Sequence, residues 1–223
     1  MTGPGSGAYT AARSAALSGV PWSTVHDWAR KGVLVPSVSP TKIKLWSYVD
    51  LMGLRTIYWL RKKKTDDEGA DIPATTMPVI KHALAMLAEL DLELWTEDAG
   101  PSVCVDPSGQ VFINTQWGPE AAVSRNRPLD GDLFDLIAPL NTPNTRGPNL
   151  HRPSPHLRIV PGKLTGSPHI AHSRIETLAV AALSARGYDR QRIEHLYPAV
   201  PPVALVEAVD LEHQLTENLR RAA

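Results

Sequence analysis

The sequence predicts an α+β chain that is mainly helical, with small β-hairpins and two small domains joined by a connector. Three observations support this. Apolar residues recur at helical spacing between capping residues and glycines, short apolar runs flank turn residues, and charge is segregated along the chain. The expected divisions are a disordered 1–8, a first domain at 9–64, a connector and linker at 65–155, and a second domain with a tail at 156–223.

Charge is unevenly distributed, although the 223 residues sum to a net charge of zero. Residues 1–64 hold 10 Lys and Arg against 2 Asp and Glu, residues 65–150 hold 4 against 14, and residues 151–223 hold 9 against 7. We therefore expect a polyanion to bind the first segment. No apolar run reaches membrane length, no signal peptide is visible and Cys104 is the sole cysteine, so we expect a soluble cytoplasmic protein.

Two short helices are predicted at the start of the first domain. Thr10 caps a helix over residues 11–17, and Gly19 ends it. Pro21 begins a second helix, which runs to about Arg30 and ends at Gly32. Two short helices around a glycine-containing turn form a helix-turn-helix unit, whose second helix enters the major groove of DNA.

A β-hairpin over residues 33–45, the wing, is expected next. Alternation in its return strand places Lys42 and Lys44 on one face and Ile43 and Leu45 on the other. The basic face would contact DNA and the apolar face the core. Ser47 then caps a third helix, which ends in a basic run at residues 61–64. That run is either a solvated helix end or a phosphate contact.

Four stretches of residues 9–61 resemble the winged helix-turn-helix of MerR-type regulators. They read Ala-Ala-(x)4-Leu-Ser-Gly-Val, Ser-Thr-Val, Arg-Lys-Gly-Val-Leu-Val-Pro and Leu-Trp-Ser-Tyr-Val-Asp-Leu. The resemblance implies that the second helix and the wing bind DNA. His26 and Asp27 stand where that family usually has Arg-Tyr.

Eight residues are predicted DNA contacts, because recognition needs side chains that reach base edges and cations that reach phosphates. Thr24 would contact a thymine methyl, His26 a guanine edge, and Arg30 and Lys31 phosphates; alternatively each merely solvates the helix. Val25 and Trp28 should face the core. The full set is Arg13, Ser23, Thr24, His26, Arg30, Lys31, Lys42 and Lys44.

The connector is predicted to be less regular. An acidic linker at 65–74 precedes an amphipathic helix over 78–90, which is shorter than the coiled coil of MerR-type dimers. Residues 92–95 should be extended, residues 103–113 a hairpin that places Cys104 in a strand, and residues 132–138 a short helix. The Pro- and Asn-rich residues 141–148 are interpreted as an interdomain linker.

Two short strands and three helices are predicted for residues 156–217. Ser173 is expected to cap the first of these helices, Gly187 to end it and Asp189 to cap the second. Ser173-Arg174-Ile175, Gly187, Ile193, Tyr197-Pro198 and the helix at 204–209 resemble the small trihelical domain of VapB-type antitoxins, which accompany PIN-domain-like ribonuclease toxins. His172 and Ser173 stand where that family has Gly-Thr. The resemblance implies that this domain dimerises, touches DNA, or both.

The last helix has two interpretations. Leu211, Leu215 and Leu219 recur at four-residue spacing, and Arg220 and Arg221 follow. These residues form either a core helix that frays or a tail that lies on the toxin, with arginine reaching its acidic metal site.

No catalytic or metal-binding pattern is recognised. His151, His156, His169 and His172 lie around turns at a spacing that matches no zinc motif, and no glycine-rich phosphate loop precedes a helix. We expect a non-enzymatic antitoxin of a type II toxin–antitoxin system without cofactor or membrane partner. It would bind operator DNA as a homodimer, autorepress, and neutralise a PIN-like ribonuclease toxin. The alternatives are a MerR-type ligand-responsive transcriptional regulator and a structural adaptor.

Overall fold

A computed structural model describes residues 7–61, 64–65, 71–72, 75–88, 96–98, 102–105, 111–115, 118–121 and 134–221. It has the predicted α+β character. The helices in these ranges are α1 (Ala11–Ser18), α2 (Trp22–Arg30), α3 (Tyr48–Leu60), α4 (Met77–Ala88), α5 (Thr177–Ala185), α6 (Arg190–Leu196) and α7 (Pro202–Arg221). The described part of the chain contains no helix with the length and apolar content needed to cross a membrane.

The strands form small antiparallel sheets. Their bounds are β1 (Lys64–Thr65), β2 (Asp71–Ile72), β3 (Ser102–Val105), β4 (Val111–Thr115), β5 (Gly118–Ala121), β6 (Phe134–Asp135), β7 (Leu140–Asn141), β8 (Arg146–Gly147), β9 (Leu157–Arg158) and β10 (His169–Ile170). One sheet has the order β5-β4-β3-β6, and β1 with β2, β7 with β8, and β9 with β10 form separate pairs. The predicted hairpin at 103–113 is confirmed, with Val105 opposite Val111.

Local signals set both ends of α1 and the start of α3 as predicted. The Thr10 side chain accepts from the Arg13 amide, and Gly19 takes a left-handed φ of 73°. The Ser47 side chain accepts from the Asp50 amide, and the Asp50 carboxylate accepts from the Ser47 amide, which completes a capping box. The helix ends therefore follow from side-chain chemistry that the sequence already displays.

The predicted wing is not a β-hairpin. Residues 33–45 form a loop that is closed by an isolated bridge between Ser39 and Leu45. The amide and hydroxyl of Ser37 both donate to Asp50 Oδ2, at 2.9 and 2.8 Å, so this loop is tied to the first turn of α3. Ile43 was expected to face the core, but it is 70% exposed because the loop lacks the alternation of a strand.

Two predictions for the connector are wrong. Residues 132–138 were expected to be helical, but β6 pairs with β3, and the Asp135 side chain accepts from the Ile137 amide, a local bond that competes with a helix. Residues 141–148 were interpreted as a linker, but they contain the β7–β8 hairpin. The predicted extended segment at 92–95 lies outside the described residues.

The β7–β8 hairpin packs directly against the end of α1. The Thr145 hydroxyl donates to Gly19 O, and a Cβ on Gly147 would lie 2.8 Å from Ser18 O. Asn218 of α7 closes the other side, because its side chain donates to Ala16 O (3.0 Å) and accepts from the Arg146 amide (2.8 Å). The hairpin thus fills the space between the amino-terminal and carboxy-terminal helices.

One hydrophobic core extends from Tyr9 to Leu215 and includes Leu136 and Leu150 of the connector. The boundaries expected at residues 64 and 155 therefore do not coincide with breaks in this core. Residues 7 and 8 were expected to be disordered, but Gly7 is buried and the Ala8 amide donates to Thr165 O at 3.1 Å. Residues 1–6 lie outside the described part.

In the carboxy-terminal part of the chain, α6 is capped as predicted, whereas α5 begins later than expected. Asp189 caps α6 by accepting from the Arg192 amide at 2.8 Å, and Gly187 precedes it with a left-handed φ of 84°. Helix α5 begins at Thr177, and Glu176, three residues after the expected cap at Ser173, holds the N-cap position without a side-chain capping hydrogen bond. Ser173 instead donates its hydroxyl to Ile170 O at the end of β10.

Candidate nucleic-acid interface

Helix α2 has one buried face and one polar face. Val25 and Trp28 are buried, as predicted, and hold the helix on the core that α1 and α3 share. Ser23, Arg30 and Lys31 are exposed, while Thr24 and His26 are half-buried. Five of the eight predicted DNA contacts therefore have accessible side chains on this helix or at its end.

The cations at the end of α2 are weakly held. Arg30 Nη2 lies 2.7 Å from Asp27 Oδ1, and Lys31 Nζ lies 2.8 Å from Asp27 Oδ2, with side-chain exposures of 75% and 61%. The hydrogen bonds from Lys31 and Arg30 lower the pKa of Asp27, which is therefore ionised at neutral pH. Ion pairs this exposed contribute little to stability, so both cations can exchange a carboxylate for a phosphate.

Trp22, the first residue of α2, lies beside the exposed polar side chains of this helix. Its ring stands edge-on to the His26 ring, with the two centroids 4.5 Å apart. Trp22 is 42% exposed, so it differs from Trp28, which is in the core. This contact holds the His26 imidazole beside the first turn of α2, next to Ser23.

Lys42 and Lys44 lie in the loop that replaces the predicted wing. Lys42 is exposed and Lys44 is half-buried. The loop also presents Ile43, so its surface combines two cations with an apolar side chain. Lys62 and Lys63 of the basic run that follows α3 lie outside the described residues.

Arg13 of α1 is partly exposed and is paired with a side chain of α7, so its role as a DNA contact stays a prediction. Its guanidinium forms two parallel hydrogen bonds with the Glu212 carboxylate, at 2.6 and 2.7 Å, and the Glu212 side chain is 7% exposed. The pair joins α1 to α7 across 199 positions of sequence. No local pattern around Arg13 signals a partner that distant.

Arg55 is the residue that the sequence analysis missed. It lies on α3, is fully buried, and donates to the carbonyls of Leu17, Ser18, Leu136, Ala138 and Pro148 at 2.6–3.0 Å. Burial lowers its pKa to about 9, so it remains charged at neutral pH. The carbonyls of Leu17 and Ser18 end α1, where helix geometry favours a cation. A lone arginine among the apolar positions of α3 was the available signal.

The structure favours the core-helix interpretation of the last helix. Leu211 and Leu215, predicted to lie on a toxin, are 4% and 2% exposed, and Leu219 packs partly against the core. Arg220 is exposed and pairs with Glu217 at 3.2 Å, and the side chain of Arg221 lies outside the description. The large apolar side chains exposed on this part of the molecule are Leu178, Leu196 and Val203.

Three of the four predicted clustered histidines converge on residues 96–98. His151 Nε2 lies 3.2 Å from Thr96 O, and the rings of His169 and His172 approach the Glu97 carboxylate. His156 instead pairs with Glu207, with 2.9 Å between Nδ1 and Oε1. Within the described ranges, no three or more His, Cys, Asp or Glu residues are arranged to hold a metal ion.

Polar and charged side chains thus cluster in two regions of the described part of the chain. One is the exposed face of α2 with its neighbouring loop, and the other surrounds Glu97. Comparisons with protein-family models, with curated proteins and with solved structures gave no match to this chain.

Proposed function

We propose that this protein is the antitoxin of a type II toxin–antitoxin pair, and that it binds operator DNA through α2 and the loop at residues 33–45. One observation carries the DNA-binding half. Helix α2 buries Val25 and Trp28 and leaves its polar and cationic side chains accessible on the other side. This arrangement suits a helix in the major groove, with base contacts from its first turns and phosphate contacts at its end.

Base recognition falls to residues near the start of α2. Ser23 and Thr24 offer hydroxyls to base edges, and the Thr24 methyl suits a thymine methyl. His26 is held by Trp22 in one orientation, which reduces the entropy lost when it donates to a guanine edge.

Phosphate binding falls to Arg30, Lys31, Lys42 and Lys44. Each cation that neutralises a phosphate releases condensed counterions, and the slope of log affinity against log salt changes by about 0.9 per phosphate contact. Because Asp27 offsets part of the charge of α2, the loop lysines supply a major part of the attraction.

The DNA-binding half is tested by fluorescence anisotropy with duplex DNA from upstream of the gene, at several salt concentrations. The Lys42→Ala/Lys44→Ala variant should bind at least tenfold more weakly, with a salt slope shallower by about two. Arg220→Ala is the matched control, because it removes an exposed cation from α7. Unchanged affinity and slope in the double variant would count against the loop.

Toxin neutralisation and dimerisation rest on the resemblance to VapB-type antitoxins and on the exposed apolar side chains Leu178, Leu196 and Val203. Side chains of this size on α5, α6 and α7 suit burial against another protein. Co-expression with the product of the neighbouring gene should give a co-purifying complex that Leu178→Asp weakens. A monodisperse protein that elutes alone under co-expression would refute this half.

A specific observation also supports the ligand-responsive regulator as a second candidate. A cavity of about 160 Å³ lies among α5, α6 and α7. Its lining consists of the side chains of Tyr188, Ile193, Leu205, Val206 and Val209, together with those of the polar residues Ser184, Arg190 and Asp210. A DNA affinity that changes with a small apolar ligand, and that Val206→Trp makes insensitive to it, would favour this candidate over the antitoxin.

A further inference from the structure

The Glu97 carboxylate lies among hydrogen-bond donors from a short stretch at the carboxyl side of the chain. Lys163 Nζ forms an ion pair with Oε1, and the main-chain amide of His172 donates to Oε2 at 2.6 Å. The His172 ring is also near, with Nδ1 3.6 Å from Oε2. An ammonium and an amide thus bind the two carboxylate oxygens, each from one side.

His169 is not satisfied by this arrangement. Its side chain is fully buried, and its Nδ1 lies 3.0 Å from Ser167 O, which can only accept, so Nδ1 carries the proton. Its Nε2 is buried and has no hydrogen-bond partner among the described residues. It points at Glu97 Oε1 from 3.9 Å, too far for a hydrogen bond. A buried polar atom without a partner costs free energy, so the pocket holds one more polar group than a carboxylate uses.

The surroundings of the pocket are positively charged. Arg158 Nε donates to the main-chain oxygen of Glu97 at 2.8 Å, and Arg152 donates to that of Asp98 at 2.6 Å. Burial lowers the pKa of Lys163, and the Arg174 charge lowers it further. Glu176 is the acid whose charge acts on His169 from the start of α5. The potential at this point therefore favours an anion with more than one negative charge.

We propose that Lys163, His169 and the His172 amide form a binding site for a phosphoryl group, which Glu97 occupies in the structure described here. A carboxylate offers two oxygens, and Lys163 and His172 use them. A phosphoryl group offers three terminal oxygens, so the third can reach His169. In the Nδ1–H tautomer, Nε2 accepts a hydrogen bond from a protonated phosphate oxygen, or it takes up a proton and donates a hydrogen bond. Glu97 is then an internal competitor for this site.

Isothermal titration of the full chain with inorganic phosphate tests the competition. Glu97→Ala vacates the pocket, so phosphate should bind at least tenfold more tightly than to the wild type. Adding Lys163→Met to that variant should abolish the gain. Asp98→Ala is the matched control, because it removes one negative charge from the adjacent residue, and it should behave as the wild type. Nitrogen-15 resonances of the His169 ring should shift with phosphate, which a purely structural role of Glu97 would not produce.

A second titration with duplex DNA identifies the source of the phosphoryl group. Tighter phosphate binding in Glu97→Ala that requires Lys163 assigns the site to a small phosphorylated ligand. A gain in DNA affinity that requires Lys163, without binding of free phosphate, assigns it to the DNA backbone. If neither affinity depends on Glu97 and Lys163, the proposal is overturned. Should Glu97→Ala fail to fold, Glu97→Asp can replace it. This variant shortens the side chain by one methylene and so withdraws the carboxylate from the site, and phosphate affinity is again compared with and without Lys163→Met.

Discussion

Arg55 and Arg30 both belong to the basic segment at residues 1–64, but they differ in burial and in their hydrogen-bond partners. Arg55 is buried and gives its guanidinium hydrogens to main-chain carbonyls of α1 and the connector. Arg30 is 75% exposed and pairs loosely with Asp27 one turn away on α2. The first cation orients α3 against α1 and the connector, whereas the second is available to a ligand.

The net charge of residues 1–64 therefore differs from the charge that this segment presents at the molecular surface. Arg13 is also withdrawn, because it pairs with the nearly buried Glu212. Removing a buried cation leaves its partners unsatisfied in a medium of low dielectric constant, while removing an exposed one exchanges it for water. Substitutions of the two kinds should therefore separate stability from binding.

The largest effect is expected for Arg55→Met. It leaves at least five buried carbonyls without this donor and should lower the free energy of unfolding by roughly 3–5 kcal/mol. Urea denaturation of the full chain measures the change. Arg55→Lys should recover only part of the loss, because an ammonium cannot match the guanidinium fork. Arg61→Ala, at the exposed end of α3, is the control, and an equal effect there would remove the distinction.

A smaller loss is expected for Arg13→Met. The Glu212 carboxylate would lose its bidentate partner, and the free energy of unfolding should fall by about 2–3 kcal/mol because Arg13 is partly exposed. Adding Glu212→Met should restore part of this, since neither charge is then left alone. Equal stability of Arg13→Met and the wild type in thermal and urea denaturation would contradict a structural role for Arg13 and leave it available as a surface cation.

The buried histidine should give a smaller effect, which depends on pH. Burial lowers the pKa of His169, the bond to Ser167 O raises it in part, and Lys163 and Arg158 lower it further, while Glu97 and Glu176 face the ring. The folded state thus binds its proton less readily than the unfolded state. Its stabilising contribution is complete above a pH of about 6.5 and is lost as the pH falls through the folded pKa.

Urea denaturation between pH 8 and pH 5 tests this sign. His169→Asn retains a donor for Ser167 O, and it should flatten the decline of stability below a pH of about 6.5. His213→Asn, an exposed position on α7, is the matched control. A decline as steep in His169→Asn as in the wild type would show that other groups cause it.

The smallest effect on stability is expected for Arg30→Ala. The pair with Asp27 is solvent-exposed, so the urea midpoint should not change. DNA affinity should nevertheless fall, and the salt slope should become shallower by about one. A shifted urea midpoint together with unaltered DNA binding would place Arg30 with Arg55 as a structural cation.

Much of the local structure could be predicted. Thr10, Gly19 and the Ser47–Asp50 capping box act within a few residues of themselves, so their effects follow from the sequence. The burial of Val25 and Trp28 followed from helical spacing. The α2 side of the candidate interface was predictable for the same reason, since neighbouring residues of one helix share a face.

The wing, the linker and the leucine tail were not predictable in this way. Asp50 of α3 accepts from Ser37 of the loop, and Gly147 fits against α1 because neither it nor Gly19 has a side chain. Leu211 and Leu215 show the same spacing whether they face a partner or their own core. Their surroundings come from residues far away in the chain.

The sequence by itself determined the ends of α1, the start of α3, the difference in charge between segments and the polar face of α2, because each depends on the residues of one segment and their near neighbours. Tertiary structure alone decided that Arg13 pairs with Glu212, that Arg55 is buried, that residues 140–147 are a packed hairpin and that Glu97 meets Lys163, His169 and His172. Those contacts join positions tens to hundreds of residues apart. A cation has the same local sequence whether water or a distant carbonyl surrounds it, and packing of the shared core makes that choice.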